Sequence, residues 1–170
     1  VIRLDDYIPI VGPAVVGQLY RLAEHLGSHR LVNINSTRTG GGVAEILSRV
    51  VPLLNQLGIE TLWEVIEGDQ LFFETTKAMH NALQGQKVYF SPEMLEHYEQ
   101  INRTNAPKFN WQADLVIVHD PQPAFLINEM RSQAKHWVWR CHIDISRPYR
   151  SIWKFLQQTV SEYDASVFSM

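Results

Sequence analysis

Apolar and polar positions follow two different rhythms along this chain. Short apolar runs recur at Leu31–Asn35 (LVNIN), Glu60–Ile66 (ETLWEVI), Leu115–Val118 (LVIV), Trp137–Cys141 (WVWRC) and Ser166–Phe168 (SVF). Each has the length of a strand, and the continuously apolar LVIV is the pattern of a strand buried on both faces. Between them apolar residues recur at helical spacing. Val16, Leu19, Tyr20 and Ala23 mark a helix over Pro13–Leu26, and Val43, Ile46, Leu47, Val50, Leu54 and Leu57 mark another over Val43–Leu57. Pro52 predicts a kink or break in the latter, and Gly58 its stop. Asp69 and Ser91 are N-cap residues for helices over Gln70–Leu83 and Pro92–Asn102. Further helices are expected over Pro123–Gln133 and Ser151–Tyr163. Strands alternating with helices predict an α/β fold, a Rossmann-like three-layer domain with a mainly parallel sheet. Ligands of such sheets bind beyond the carboxyl ends of the strands. The segments of interest are therefore Ser36–Gly42, Gly68 and Asp69, His119–Pro123, and His142–Pro148.

Composition narrows the function classes. The 170 residues suit one domain or one half of a larger enzyme, and the 45% hydrophobic content suits a packed core. The formal net charge of -3 and the scattered basic residues give no electrostatic footprint for nucleic acid. No apolar run is long enough to span a bilayer, and the opening VIRLDDYIPI does not read as a secretory signal. The lone Cys141 excludes an internal disulfide and fits a reducing compartment, so a cytoplasmic location is expected. Repeats and low-complexity segments are absent from the sequence.

Three predicted rim segments carry chemistry. In "NSTRTGGGVAEIL", Gly40, Gly41 and Gly42 close a strand-to-helix loop. Backbone N–H groups at such a helix start suit an anion, whereas the plain alternative is a flexible turn. The dinucleotide fingerprint is incomplete, because Glu45 stands at its third glycine, and the Gly-Lys-Ser/Thr of a P-loop is missing. In "VIVHDPQP", His119 and Asp120 end a strand, and the plain reading is a satisfied histidine beside a turn-capping aspartate. In "WRCHIDISRP", one strand end delivers Arg140, His142, Asp144 and Arg147. Arginine holds phosphate or carboxylate with a planar fork, and histidine exchanges protons near neutral pH. An Asp144–Arg147 ion pair bracing the loop is the structural alternative. The five tryptophans read as packing residues. His136 and His142 have no companion ligands at metal spacing, so no metal is expected. A Gly-x-Ser-x-Gly elbow is also missing.

Together, "NSTRTGGGVAEIL", "VIVHDPQP" and "WRCHIDISRPYRSIWKFL" resemble the N-terminal half of a retaining GT-B glycosyltransferase of the trehalose glycosyltransferring synthase family, akin to glycogen and sucrose synthases. The resemblance covers nearly the whole chain. It implies two Rossmann-like halves facing across a cleft, with the acceptor held by the N-terminal half and most of the nucleotide by the other. It implies transfer of glucose from a nucleotide-glucose to free glucose, with no cofactor and no metal. Gly41 and Gly42 would lie near the donor diphosphate, with Arg38 assisting. His142 would lie near the transferred sugar, with Asp144 as the second catalytic candidate. By position, Asp120, Gln122, Arg140 and Arg147 are candidates for acceptor binding.

The chain stops at Met170, just after the last predicted strand, so the C-terminal nucleotide-sugar domain is expected to be absent and residues 1–170 to be inactive alone. The bared cleft face would favour a homodimer. Neither nucleic acid nor membrane is an expected partner. A trehalose phosphorylase half, a dinucleotide-binding oxidoreductase domain and a non-enzymatic sugar-binding or dimerisation module compete with this reading. The sequence leaves the donor base and the direction of the reaction open.

Overall fold

The computed structural model describes residues 2–169, which build a five-stranded sheet flanked by helices; Met170 lies outside the described residues. The elements are α1 (Ile8–Val11), α2 (Pro13–Leu26), β1 (Arg30–Asn35), α3 (Gly42–Gln56), β2 (Glu60–Val65), α4 (Gln70–Leu83), α5 (Pro92–Asn105), β3 (Ala113–His119), α6 (Ile127–Met130), β4 (Ala134–Cys141), α7 (Arg150–Val160) and β5 (Ala165–Phe168). All strand pairs are parallel, in the order β2-β1-β3-β4-β5. That order places the topological switch point between β1 and β3, where their following connections leave in opposite directions. The expected α/β Rossmann-like fold is therefore present. No helix among the described residues is long and apolar enough to cross a membrane.

The two faces of the sheet differ because side chains alternate along each strand. Val32 and Ile34 of β1, Val116 and Val118 of β3, and Trp137, Trp139 and Cys141 of β4 enter the main core. There they join Phe72, Met79 and Leu83 of α4, Tyr98 of α5, and Ile152 and Leu156 of α7. The alternate positions Asn33, Asn35 and His119 are also buried but polar. These polar positions, not the apolar ones, bear on the site.

Local signals account for most boundaries. Asp69 Oδ1 accepts from Phe72 N at 2.9 Å and Ser91 Oγ from Met94 N at 3.3 Å, the two predicted N-caps. Two expectations need correction, and one element was not foreseen. Helix α3 is not broken at Pro52 but continues to Gln56. Pro52 and Ser48 are solvent-exposed, so the carbonyl that the missing N–H would have bonded is left to water, while Ala44 and Leu47 anchor the helix. The single helix expected over Pro123–Gln133 is instead two 3-10 turns around the four-residue α6. Tyr163 Oη donates to Ala124 O at 2.7 Å, so a core side chain takes a carbonyl that a regular helix would use, and Trp137 Nε1 donates to Arg131 O at 3.2 Å at the segment's end. Finally, the segment before Pro13 is helical from Leu4, which apolar spacing over so short a stretch did not reveal.

Candidate functional site

Loops beyond β1, β3 and β4 enclose a cavity of about 480 Å³. The first wall is the glycine loop. Asn35 Nδ2 donates to Thr37 O at 2.8 Å and Thr37 Oγ1 to Thr39 O at 2.6 Å, folding the chain back before the glycines. Gly40 and Gly41 have φ of 75° and 86°, the left-handed region that glycine enters without strain. Gly41 is the N-cap of α3 and supplies no side-chain cap. The N–H groups of Gly42, Val43 and Ala44 thus open the helix without protein acceptors among the described residues, and all three residues line the cavity. A Cβ built on Gly42 would meet nothing within 4 Å. The fold does not require glycine there, and its bareness leaves the space before these N–H groups clear.

The second wall is held rigidly by the core. Trp139 Nε1 donates to Asp120 O at 2.9 Å, Tyr98 Oη to Pro121 O at 2.6 Å, and Asn102 Nδ2 to Gln122 O at 3.1 Å. Asp120 is the one described non-glycine residue with positive φ, at 63°. Its N–H donates to Arg140 O at 2.9 Å and its Oδ1 accepts from His142 N at 2.7 Å. A backbone held in this sparsely occupied conformation by three surrounding groups marks a candidate for functional positioning. The plain reading of Asp120 as a turn cap gives way to a bridge between the β3 and β4 ends.

The third wall is His142, with Ile143. His142 Nε2 lies 2.9 Å from His119 Nδ1, and His119 Nε2 lies 3.1 Å from Asn33 Oδ1. Burial pushes the His119 imidazole down to about 3, with the neighbouring His142 and Arg140 charges adding to the effect. Burial also lowers His142, against the pull of Asp120, and raises Asp120, against its bond from His142 N and the charges of His142, His80 and Arg140. Desolvation therefore drives both toward their neutral forms. The buried Cys141 thiol is pushed up to about 11, an inert group beneath the site.

The sequence-predicted residues divide. Gly40, Gly41, Gly42, His119, Asp120, Gln122 and His142 meet on one cavity. Arg38 does not reach it: its guanidinium lies 4.6 Å from the Trp63 ring centroid and donates to Trp63 O, at the edge of the glycine loop. Arg140 donates to Ser169 Oγ at 3.1 Å, one residue away from the lining. Asp144 is exposed and turns onto Ser146 N and Oγ, which hold its carboxyl below the usual range. Arg147 is exposed on the same loop, and it forms no ion pair with Asp144. Gly68 and Asp69 lie away from the cavity, Gly68 packed under Phe72 and Asp69 capping α4 beside His97. Sequence reading missed His80, Asn35 and Ser169 on the lining, and Asn33 beneath it. A histidine in a helix and an asparagine inside an apolar strand carried no signal of a shared cavity. No group of three or more metal-ligating side chains converges among the described residues.

Comparison with known proteins gives a consistent picture. A family described as trehalose synthase, N-terminal domain, matches residues 33–170. The chain is 47% identical over 170 residues to the trehalose synthases of Thermococcus litoralis and of Pyrococcus furiosus, covering 99% of this chain and 41% of each relative. It is more distantly similar, at 27% over 185 residues, to the trehalose phosphorylase of Pleurotus pulmonarius, with 95% of this chain and 25% of that protein covered. The chain thus spans about two fifths of the length of the trehalose synthases it matches.

Proposed function

We propose that this chain, which belongs to the trehalose synthase N-terminal domain family, supplies the acceptor side of a retaining GT-B glycosyltransferase that moves glucose from a nucleotide-glucose to free glucose. The observation that carries this reading is the convergence of an uncapped helix start, Asp120 and His142 on one cavity of about 480 Å³. The reaction breaks the bond between the anomeric carbon and the diphosphate oxygen. It forms a bond from that carbon to an acceptor hydroxyl oxygen, whose proton passes to the departing phosphate.

Negative charge builds on the leaving oxygen, and fixed N–H donors aimed at it are the strongest aid a protein can offer. Gly42, Val43 and Ala44 provide them, and Gly41 gives the turn that orients them. Asp120, with Oδ1 engaged by His142 N, keeps Oδ2 for a sugar hydroxyl, and Gln122 adds a neutral donor and acceptor. His142 touches the transferred sugar. Arg38, Arg140, Asp144 and Arg147 enter only as rim residues that a bound substrate or a second domain could engage. Departure and attack on the same face suit this site better than a covalent intermediate: Asp120 is the one carboxylate side chain on the cavity among the described residues, and burial and its bond from His142 N occupy it.

Amide NMR titrations test the proposal. Glucose is expected to shift signals around Asp120 and His142, and a nucleoside diphosphate those of Gly41 to Ala44. Shifts at Gly40 to Gly42 specific to NAD would instead establish the dinucleotide reading and overturn this one. The distant phosphorylase similarity gives a second reading, in which the same N–H groups take inorganic phosphate. Phosphate competing with the diphosphate for Gly42 while supporting trehalose cleavage in a longer protein would favour it.

A further inference from the structure

We propose that His119 and Asn33 are positioning residues that hold His142 as the Nε2–H tautomer, so that its Nδ1 faces the cavity as a bare hydrogen-bond acceptor. The three residues climb diagonally across one face of the sheet. Asn33 of β1 pairs with Ile117 of β3, and His119 lies two residues further along; His119 in turn pairs with Arg140 of β4, and His142 lies two residues beyond that. Each step of two keeps the side chain on the same face and moves it toward the cavity. The two imidazoles stack with centroids 5.2 Å apart and planes 20° from parallel.

With Asn33 Oδ1 turned toward His119, the hydrogen-bond chain runs in one direction. A carbonyl oxygen only accepts, so the ring nitrogen beside Asn33 Oδ1 carries the hydrogen. A neutral imidazole has one N–H, so Nδ1 of His119 is a lone pair, and Nε2 of His142 must donate to it. Nδ1 of a neutral His142 is then unprotonated, and it has no partner among the described residues. The buried Asn33 Nδ2 is also without a partner. Rotating that amide would orphan the oxygen instead and reverse the chain, placing an N–H at His142 Nδ1. The direction of the relay thus decides what His142 offers a ligand. A bare Nδ1 accepts from a hydroxyl and repels a phosphate oxygen. Resting on the function proposed above, this divides the cavity into an anion end at Gly42 and a hydroxyl end at His142.

The test is the two-bond proton–nitrogen correlation spectrum of this chain with ¹⁵N-labelled histidine, in which the two tautomers give distinct patterns. The expected result is a protonated Nε2 and a bare Nδ1 on both His119 and His142. His119→Phe is expected to release His142 into a mixture of tautomers. His119→Asn, which keeps an acceptor near the Nδ1 position, is expected to restore the single form; a merely structural role would not be rescued in this way. An Nδ1–H on wild-type His142, or an unchanged tautomer in a folded His119→Phe chain, would overturn the proposal. If His119→Phe does not fold, the wild-type spectrum alone decides. Failure of the sugar reading would show separately, as no amide shifts on adding glucose, with the tautomer unmoved.

Discussion

Asp120 joins backbone, side-chain and electrostatic constraints in one residue. Its left-handed backbone suits aspartate and asparagine better than alanine, and its Oδ1 holds His142 N. Asp120→Ala should therefore lose that hydrogen bond, about 1 kcal/mol, together with the local preference of aspartate for this backbone, whereas Asp120→Asn should keep most of the stability. Denaturant unfolding of the two variants checks this. His119 sets a pH dependence. Its folded value of about 3 lies below the ordinary histidine value of 6.5. The unfolded chain then binds more protons between these values, so stability is full above pH 6.5 and is lost as the pH falls toward 3. Well below pH 6.5 the loss from this residue should approach about 1.4 kcal/mol per pH unit. His142, shifted in the same direction, adds to it. The carboxylates with lowered values, Asp69, Glu93, Asp114, Asp144 and Asp164, are affected only at the acid end, and the raised Asp120 acts in the opposite sense, so the fall between pH 6.5 and 5 belongs to the histidines. Melting curves across that range should be shallower for His119→Asn than for the native chain.

At the scale of the element, α3 separates conformational demand from ligand demand. Gly41, at φ 86° and ψ 153°, sits in a region nearly restricted to glycine, so Gly41→Ala should cost about 1–3 kcal/mol through strain. Gly42 has neither positive φ nor a neighbour near its missing Cβ, so Gly42→Ala should leave the melting temperature nearly unchanged. Gly42 nonetheless lines the cavity beside the helix N–H groups, where an added methyl group is expected to crowd a bound anion. The expected outcome is weakened nucleoside diphosphate binding with native stability, read by the amide titration and a thermal melt of the same sample. Equal binding by Gly42→Ala and native chains would remove this helix start from the site.

For the whole molecule, the cavity is walled by loops from one side of one sheet, and Ile46 on its lining is 48% exposed. A ligand so incompletely enclosed keeps much of its water and gains little from electrostatic preorganisation. Residues 1–170 alone are expected to bind glucose with a Kd on the order of millimolar, roughly −4 kcal/mol, and to form no trehalose from nucleotide-glucose and glucose. Trehalose appearing in that mixture would show that the chain needs no second domain for turnover.

The periodicity of the sequence by itself determined the strand-helix alternation, the caps at Asp69 and Ser91 and the rim on which Gly41, Asp120 and His142 stand, because these depend on neighbours a few residues apart. Pro52 within a continuous helix and the broken helix around α6 were illegible, since solvent at one and core side chains at the other redirected the carbonyls. Arg140, Asp144 and Arg147 shared a strand end with His142 but not its cavity, because Arg140 turns to Ser169 Oγ and the loop after the strand folds Asp144 onto Ser146 and leaves Arg147 exposed. Only the tertiary structure brought His80 to the lining and joined Asn33, His119 and His142 across three strands. Strand order and register decide such contacts, and both arise from packing between segments far apart in the chain, 86 residues for Asn33 and His119 and 23 for His119 and His142.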